Sequence, residues 1–339
     1  MSNIYKVAER AGVSPKTAAR ILAGQSLRSK SRDRVLEVAR ELGYVRNQQA
    51  ANLRNGSSSV IGVVVPNIDN PFYGAVIQSM HDACLERGFA IQVASSFGDP
   101  QEETRALQRL QSYRVDGVFL NASEHPMSSE TEAICTQMIQ QGKPVVLGGS
   151  IEEPLLGADW VQIRNEEAIQ KGVRYLAGKG HRRIGFLGGL AASRTIQERL
   201  QGYRKGMDEA GLPLDGKFIA FAEGGPKEVL AQVIELLENE PVATRPTALV
   251  AANDMIAISA IKACRNLSIS VPDEVAILGF DGIELGELVT PSLTTLRQPQ
   301  IQIAHDVAAY LESRVRRTTG SASARALVYD PELVIRESA

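Results

Sequence analysis

From residue 60 to residue 279 the sequence alternates short runs rich in β-branched residues with stretches whose apolar residues recur every three or four positions. The runs fall at Val60–Pro66, Ala90–Ser95, Gly117–Asn121, Pro144–Leu147, Arg183–Gly188, Phe218–Phe221, Ala248–Ala251 and Val275–Gly279. Between Phe72 and Arg87 the stripe is Val76, Met80, Ala83 and Cys84, and similar stripes occupy residues 166–177, 199–210, 227–237 and 255–265. Repeated strand–helix–strand spacing specifies parallel sheets covered by helices. About nine strands are many for one twisted sheet, so the pattern predicts an α/β fold with two doubly wound parallel-sheet subdomains and a cleft between them. In such sheets, ligand groups collect beyond the carboxyl ends of the strands.

The first 56 residues are different in kind. They hold 11 Lys and Arg against 4 acids, whereas the remainder holds 26 against 35, so a net charge of −2 conceals a basic head on an acidic body. A charge split of this sort points the head toward a polyanion. Three short helices are legible there. The first, about Ile4 to Arg10, has Asn3 as N-cap and Gly12 after its end. Ser14-Pro15 sets a capping hydroxyl before a proline at the first helical position of a helix that runs to Leu22. A third spans about Ser31 to Leu42. Small Ala8 and Ala11 at a crossing, with Ile4, Val7, Val13 and Ile21 apolar, read as a helix-turn-helix.

Several classes are disfavoured. The longest apolar runs fall far short of the ~20 residues a membrane helix requires, and the polar opening Met1-Ser2-Asn3-Ile4-Tyr5-Lys6 lacks the apolar stretch of a secretory signal, so no membrane partner and a cytoplasmic location are expected. Cys84, Cys135 and Cys264 are too few and too scattered for a disulfide framework or a metal cluster and are read as buried small hydrophobes. His81, His125, His181 and His305 lack metal-ligand spacing, and no phosphate-binding loop or nucleophile elbow occurs. The expectation is therefore no catalytic residue, no metal and no cofactor.

At this point the residues match a known family. The run Asn3 to Leu22 resembles the headpiece of the lactose-repressor (LacI/GalR) family of bacterial transcription regulators. Arg32-Asp33-Arg34-Val35, Leu42-Gly43-Tyr44 and Asn47 to Arg54 resemble its third helix and hinge. Ile61 to Pro66, Asn70-Pro71-Phe72-Tyr73, Gly180 to Ile184, Arg199-Leu200-Gln201-Gly202-Tyr203, Asn253-Asp254, Gly279-Phe280-Asp281 and Leu293-Thr294-Thr295 resemble its periplasmic-binding-protein-like core. The likeness covers nearly the whole chain, in order. Departures fall at Lys6, where the family usually has an acid, at Ala18, Ala19 and Ala23, and in a shortened loop near Gln25-Ser26.

A recognition helix enters the major groove by its N-terminal end, which brings Pro15, Lys16 and Arg20 to the bases. Lys16 and Arg20 can donate to guanine O6 and N7, while Ser14, Thr17 and the helix N-terminus suit phosphates. Lys6 adds a further cation. The segment holding Asn47, Ala50, Leu53 and Arg54 is too short and polar to hold a helix alone. The resemblance implies that it folds on DNA, where paired Leu53 side chains wedge into a minor-groove step. In the body, Asn70, Phe72, Tyr73, Arg164, Arg199, Asn253 and Asp281 are the expected effector-binding residues, with Arg199, Asn253 and Asp281 foremost. Amides, a carboxylate, a guanidinium and aromatic faces together suit a hydroxylated ligand. Arg164 stands where the family commonly has an aspartate, which weakly favours an acidic ligand.

The sequence thus predicts a homodimeric regulator, more specifically a repressor, that binds double-stranded DNA at a near-palindromic operator and answers to a small effector such as a sugar, polyol or sugar acid. The expected divisions are a headpiece at 1–46, a hinge and linker at 47–59 and a core at 60–339. Within the core, one subdomain is expected at about 60–160 and 292–323 and the other at about 161–291 and 324–339. A solute-binding protein for sugar transport and a sugar-processing enzyme with an appended DNA-binding module are the alternatives.

Overall fold

The structure is a computed structural model that describes residues 3–22, 31–44, 57–122, 127–150, 155–223, 225–238, 240–316 and 325–339. It divides into two compact units, Met1–Ser58 and Ser59–Ala339. The hinge residues Asn47, Ala50, Leu53 and Arg54, and the departure at Ala23, lie outside the described residues.

The small unit contains α1 (Ile4–Ala11), α2 (Pro15–Leu22) and α3 (Ser31–Glu41). Asn3 Oδ1 accepts the Lys6 N–H at 3.0 Å and caps α1, and Gly12, at φ +67°, turns the chain out of it. Ser14 Oγ accepts the Thr17 N–H at 3.1 Å before Pro15 opens α2. Val7, Ala8, Ala18, Ile21, Val35, Val38 and Ala39 form its core. Ala18 is fully buried in that core, so this departure from the family pattern is a packing residue.

The large unit has two lobes. The first sheet runs in the order β11-β5-β4-β3-β1-β2, all parallel, from strands β1 (Val60–Val65), β2 (Ala90–Ser95), β3 (Gly117–Asn121), β4 (Val145–Gly148), β5 (Asp159–Ile163) and β11 (Ala326–Tyr329). Along β1, Ile61, Val63 and Val65 enter one core and Val64 the other, so each face of the sheet carries its own apolar layer. Helices α4 (Pro71–Glu86) and α12 (Gln300–Val315) cover the first face, α5 (Pro100–Ser112) and α6 (Ser129–Gln140) the second.

The second sheet runs β12-β10-β9-β8-β6-β7, from β6 (Ile184–Gly188), β7 (Ile219–Phe221), β8 (Ala248–Ala251), β9 (Ala276–Asp281), β10 (Thr294–Arg297) and β12 (Glu332–Val334). Its ladders are parallel except the antiparallel β10–β12 pair. Around it pack α7 (Asn165–Gly178), α8 (Arg194–Glu209), α9 (Pro226–Glu238) and α10 (Asp254–Asn266). Short α11 (Leu285–Leu288) leads from β9 to β10.

This sheet membership corrects the expected subdivision of the core. Strand β5 lies wholly in the first lobe, so no boundary falls at residue 160. Strand β10, expected in the first lobe, pairs with β9 in the second. Strand β11, expected in the second, pairs with β5 in the first. The chain therefore changes lobe after β5, after β10 and after β11.

Cys84, Cys135 and Cys264 are free and buried. Burial pushes their thiols up, to about 11 for Cys84 and about 12 for the other two. No group of metal-ligating side chains occurs among the described residues, and no described helix is long and apolar enough to cross a membrane.

Candidate functional site

In the small unit, the turn between α1 and α2 exposes the N-terminal end of α2. Lys16 and Arg20 are exposed and one helical turn apart, which puts both cations on the face opposite Ala18 and Ile21. Ser14, Pro15 and Lys6 are also exposed and Thr17 is half-buried, its hydroxyl 2.9 Å from that of Ser14. Tyr5 presents a large exposed ring beside them in sequence. The surface thus combines a helix N-terminus, hydroxyls, cations and an aromatic, groups suited to phosphates and base edges.

In the large unit a cavity of about 370 Å³ opens between the lobes, beyond the carboxyl ends of the strands. Asn70 and Tyr73 line it from the first lobe, and Asn253 and Ile256 from the second. Local structure fixes both asparagines. Asn70 caps α4, accepting the Phe72 N–H at 3.0 Å, and Asn253 caps α10, accepting the Ile256 N–H at 2.8 Å. Their oxygens are thereby used, which leaves the amide NH2 groups as donors at the cavity wall. Tyr73 and Phe97 supply rings, and Asp69 and Glu223 supply carboxylates. No Lys or Arg lines the cavity among the described residues.

Arg199 and Asp281 lie together but behind that lining. Arg199 is buried on α8, donates through Nε to Asn165 Oδ1 at 3.0 Å and through Nη1 to the Ala252 carbonyl, and stacks 3.6 Å above the Phe280 ring centroid. Its Nη1 stands 3.7 Å from Asp281 Oδ1. Burial presses the guanidinium pKa down, while Asp281 and Tyr73 act to raise it.

Asp281 ends β9 at φ +116°, a backbone state that a non-glycine residue holds only where its surroundings fix it. Gln298 Nε2 donates to its carboxylate at 2.8 Å. Burial pushes this carboxyl up to about 7, Arg199 opposing and Asp254 adding to the shift. Asp254 is pushed up to about 6 by burial, against bonds donated by Thr295 Oγ1 at 2.6 Å and by the Gly282 and Ile283 N–H groups at 2.8 Å each. The Asp254 carboxylate thus ties α10 to the turn after β9, and Asn253 rather than Asp254 caps the helix.

Two expected effector residues stand elsewhere. Phe72 is buried in the first lobe's core, its ring edge-on to Tyr73 at 5.1 Å, and packs there instead of lining the cavity. Arg164 is half-exposed and pairs with Asp330 at 3.5 Å, so the cation that favoured an acidic ligand is not in the cavity wall. Asn165, Glu198, Asp69 and Glu223 went unsingled in the sequence. Glu198 precedes Arg199 on α8, whereas Asn165 reaches Arg199 only because α7 and α8 pack together, and no local pattern signals that.

The head and the body each have known counterparts. The model of bacterial regulatory proteins of the lacI family matches residues 3–47, and a periplasmic binding protein-like domain matches residues 173–339. The HTH-type transcriptional regulator DegA of Bacillus subtilis (strain 168) is 32% identical over 341 residues, covering 99% of this chain and 98% of its own. A solved transcriptional regulator CelR–cellobiose complex is 28% identical over 100% of both chains, with a TM-score of 0.72. The Lac repressor bound to ONPG in its repressed state superimposes with a TM-score of 0.85 over 100% of this chain and 99% of its own, and at 21% identity speaks for the fold alone. The chain belongs to the lacI family of bacterial regulatory proteins and is a helix-turn-helix transcriptional regulator.

Proposed function

We propose that this regulator is a repressor that acts as a homodimer on a near-palindromic operator and releases or tightens its grip when a small hydroxylated molecule enters the cleft of the large unit. The observation that carries this reading is the cavity between the lobes, where amide donors, aromatic rings and carboxylates converge from both sides. Vicinal hydroxyls both donate and accept, so they match amides and carboxylates, while ring faces cover the apolar side of a sugar. Cellobiose in the CelR complex is a ligand of that description. Asn70, Tyr73 and Asn253 would touch the ligand directly, and Arg199, bonded to the Ala252 carbonyl next to Asn253, would back that wall together with Asp281. Arg199 Nη2 makes no hydrogen bond among the described residues, which leaves it a donor to offer.

With Asp69 and Glu223 in the wall and Arg164 turned to Asp330, the charge balance favours a neutral sugar or polyol over a sugar acid. Lys16 and Arg20 would read bases, and Lys6, Ser14 and Thr17 would hold phosphates. Residues 47–54 would fold on DNA with Leu53 wedged into the central step. The chain's relatives are transcriptional regulators and not enzymes by name, and a cytoplasmic location without a cofactor would fit a factor that must reach the chromosome. Ligand and DNA, if they favour different lobe arrangements, must each alter the other's affinity by the same factor.

A thermal-shift screen of sugars, polyols and sugar acids tests the ligand class, because a molecule that binds only the folded state raises its melting temperature. Neutral hydroxylated compounds are expected to give the shifts. Shifts confined to sugar acids would overturn the charge argument, and no shift from any hydroxylated compound would overturn the ligand class.

A further inference from the structure

The side chains that hold Arg199 in place also reach across the cleft. Ser150 follows β4 and belongs to the first lobe, whereas Thr195 and Glu198 lie on α8 and Asn165 opens α7, both packed against the second sheet. Ser150 Oγ donates to Glu198 Oε2 at 2.6 Å, the short distance of a bond to a charged acceptor. Thr195 Oγ1 donates to Ser150 Oγ at 3.1 Å. Asn165 Nδ2 donates to the same Glu198 oxygen at 2.9 Å and lies 3.4 Å from Ser150 Oγ. Its Oδ1 is the acceptor of the Arg199 Nε–H at 3.0 Å. Arg194 Nε approaches the other Glu198 oxygen at 3.7 Å. One chain of hydrogen bonds therefore runs from the first lobe, through a carboxylate and a buried amide, to the guanidinium beside Asp281.

The amide is the joint. Asn165 is 4% exposed and both ends of its side chain are engaged, so it cannot turn toward one partner without leaving the other. If the lobes part, Ser150 withdraws its hydroxyl and Glu198 keeps the Asn165 amide and the Arg194 guanidinium. If a ligand draws the guanidinium off Asn165 Oδ1, the amide that supports Glu198 is loosened. We propose that Ser150, Thr195, Glu198 and Asn165 form a latch that holds the lobes together and ties their closure to the position of Arg199. These are positioning residues. The consequence for ligand control rests on the reading of the cleft as the effector site, but the latch itself needs no ligand to be observed.

The test is a distance between the lobes in the full chain, free of ligand and DNA. Nitroxides on Gln101→Cys and Lys227→Cys sit at exposed helix starts on either side of the cleft. The buried native thiols, raised to about 11 and 12, do not compete for the label. Dilution with unlabelled protein isolates the distance within one chain in a pulsed-dipolar measurement. Ser150→Ala is expected to lengthen and broaden the distribution, each lost net hydrogen bond raising the open-to-closed ratio about fivefold. Ser150→Thr, which restores the hydroxyl, is expected to return it. Thr104→Val breaks a buried hydroxyl pair with Thr131 inside the first lobe, 2.9 Å long, and is expected to lower stability without changing the distance. Identical distributions for wild type and Ser150→Ala, or equal widening by Thr104→Val, would overturn the latch. Neither result touches the DNA-binding reading, which fails only if the head does not carry specific DNA affinity.

Discussion

Asp281 and Asp254 contribute a pH dependence to the stability of the body. Both carboxyls are held up mainly by burial, to about 7 and about 6, against about 3.9 in an unfolded chain. An acid whose folded pKa exceeds its unfolded one adds stability that is full below the unfolded pKa and lost as pH rises through the folded one. Their contribution to the urea midpoint should therefore fall as pH climbs from about 4 to about 7, against the opposite contribution of His181, and Asp281→Asn should remove the upper part of that fall. A midpoint whose pH profile is the same in both proteins would show that Asp281 does not titrate in this window.

In the head, Lys16→Ala or Arg20→Ala should relax preference at defined operator positions, about 1–3 kcal/mol for a lost bidentate base contact. Binding-site selection with each variant reads this directly, and a uniform loss across sequences would assign that residue to phosphate. Site residues flanked by distinctive neighbours, such as Arg199-Leu200-Gln201-Gly202-Tyr203 and Gly279-Phe280-Asp281, were legible in the sequence as a family likeness. What a side chain meets was not. Arg164 reads as a free cation until Asp330 is brought beside it, and Ser150 reads as loop until Glu198 faces it.

Among the elements, the helix pair α7 and α8 carries the greatest demand. A Cβ on Gly202 would sit 2.4 Å from the Glu166 carbonyl oxygen, a backbone atom that can move only with its helix. Gly202→Ala should force the helices apart at the level of Asn165 and Arg199, at a cost of about 1–3 kcal/mol read in urea unfolding. Unchanged stability would mean that the two helices slide freely. The central strands β1, β3, β6 and β8 are apolar runs flanked by amphipathic helices, so period and composition reveal them. Strands β5 (DWVQI) and β10 (TTLR) mix polar residues with apolar ones, and β11 and β12 are largely exposed edge strands with polar neighbours. Their local pattern is weak and pairing across the sheet defines them, which is why β10 and β11 fall in the lobes opposite to those expected, whereas α12 and β12 lie in the lobes that 292–323 and 324–339 predict. Thr294 and Thr295 are fully buried although hydroxylated, because their backbone joins β9 and β12 and the Thr295 hydroxyl donates to Asp254.

At the scale of the whole molecule, the two compact units coincide with the two signs of charge. The basic residues of the head serve a polyanion, and the acidic body would repel one, so affinity for DNA should reside in the head and fall steeply with salt. This division was the most legible feature of the sequence, since charge counts and strand–helix alternation need no knowledge of distant contacts. The central claim is that DNA recognition belongs to the head and is separable from the ligand-sensing body. Its most direct test is a titration, over a range of salt, of the full chain and of residues 59–339 on DNA selected by the full chain. The full chain should show log K falling linearly with log salt, with a slope of about −0.9 per phosphate contacted. The fragment should keep a cooperative melt and lose specific binding. A fragment that binds the selected DNA undiminished, or a full chain whose affinity ignores salt, would contradict the account.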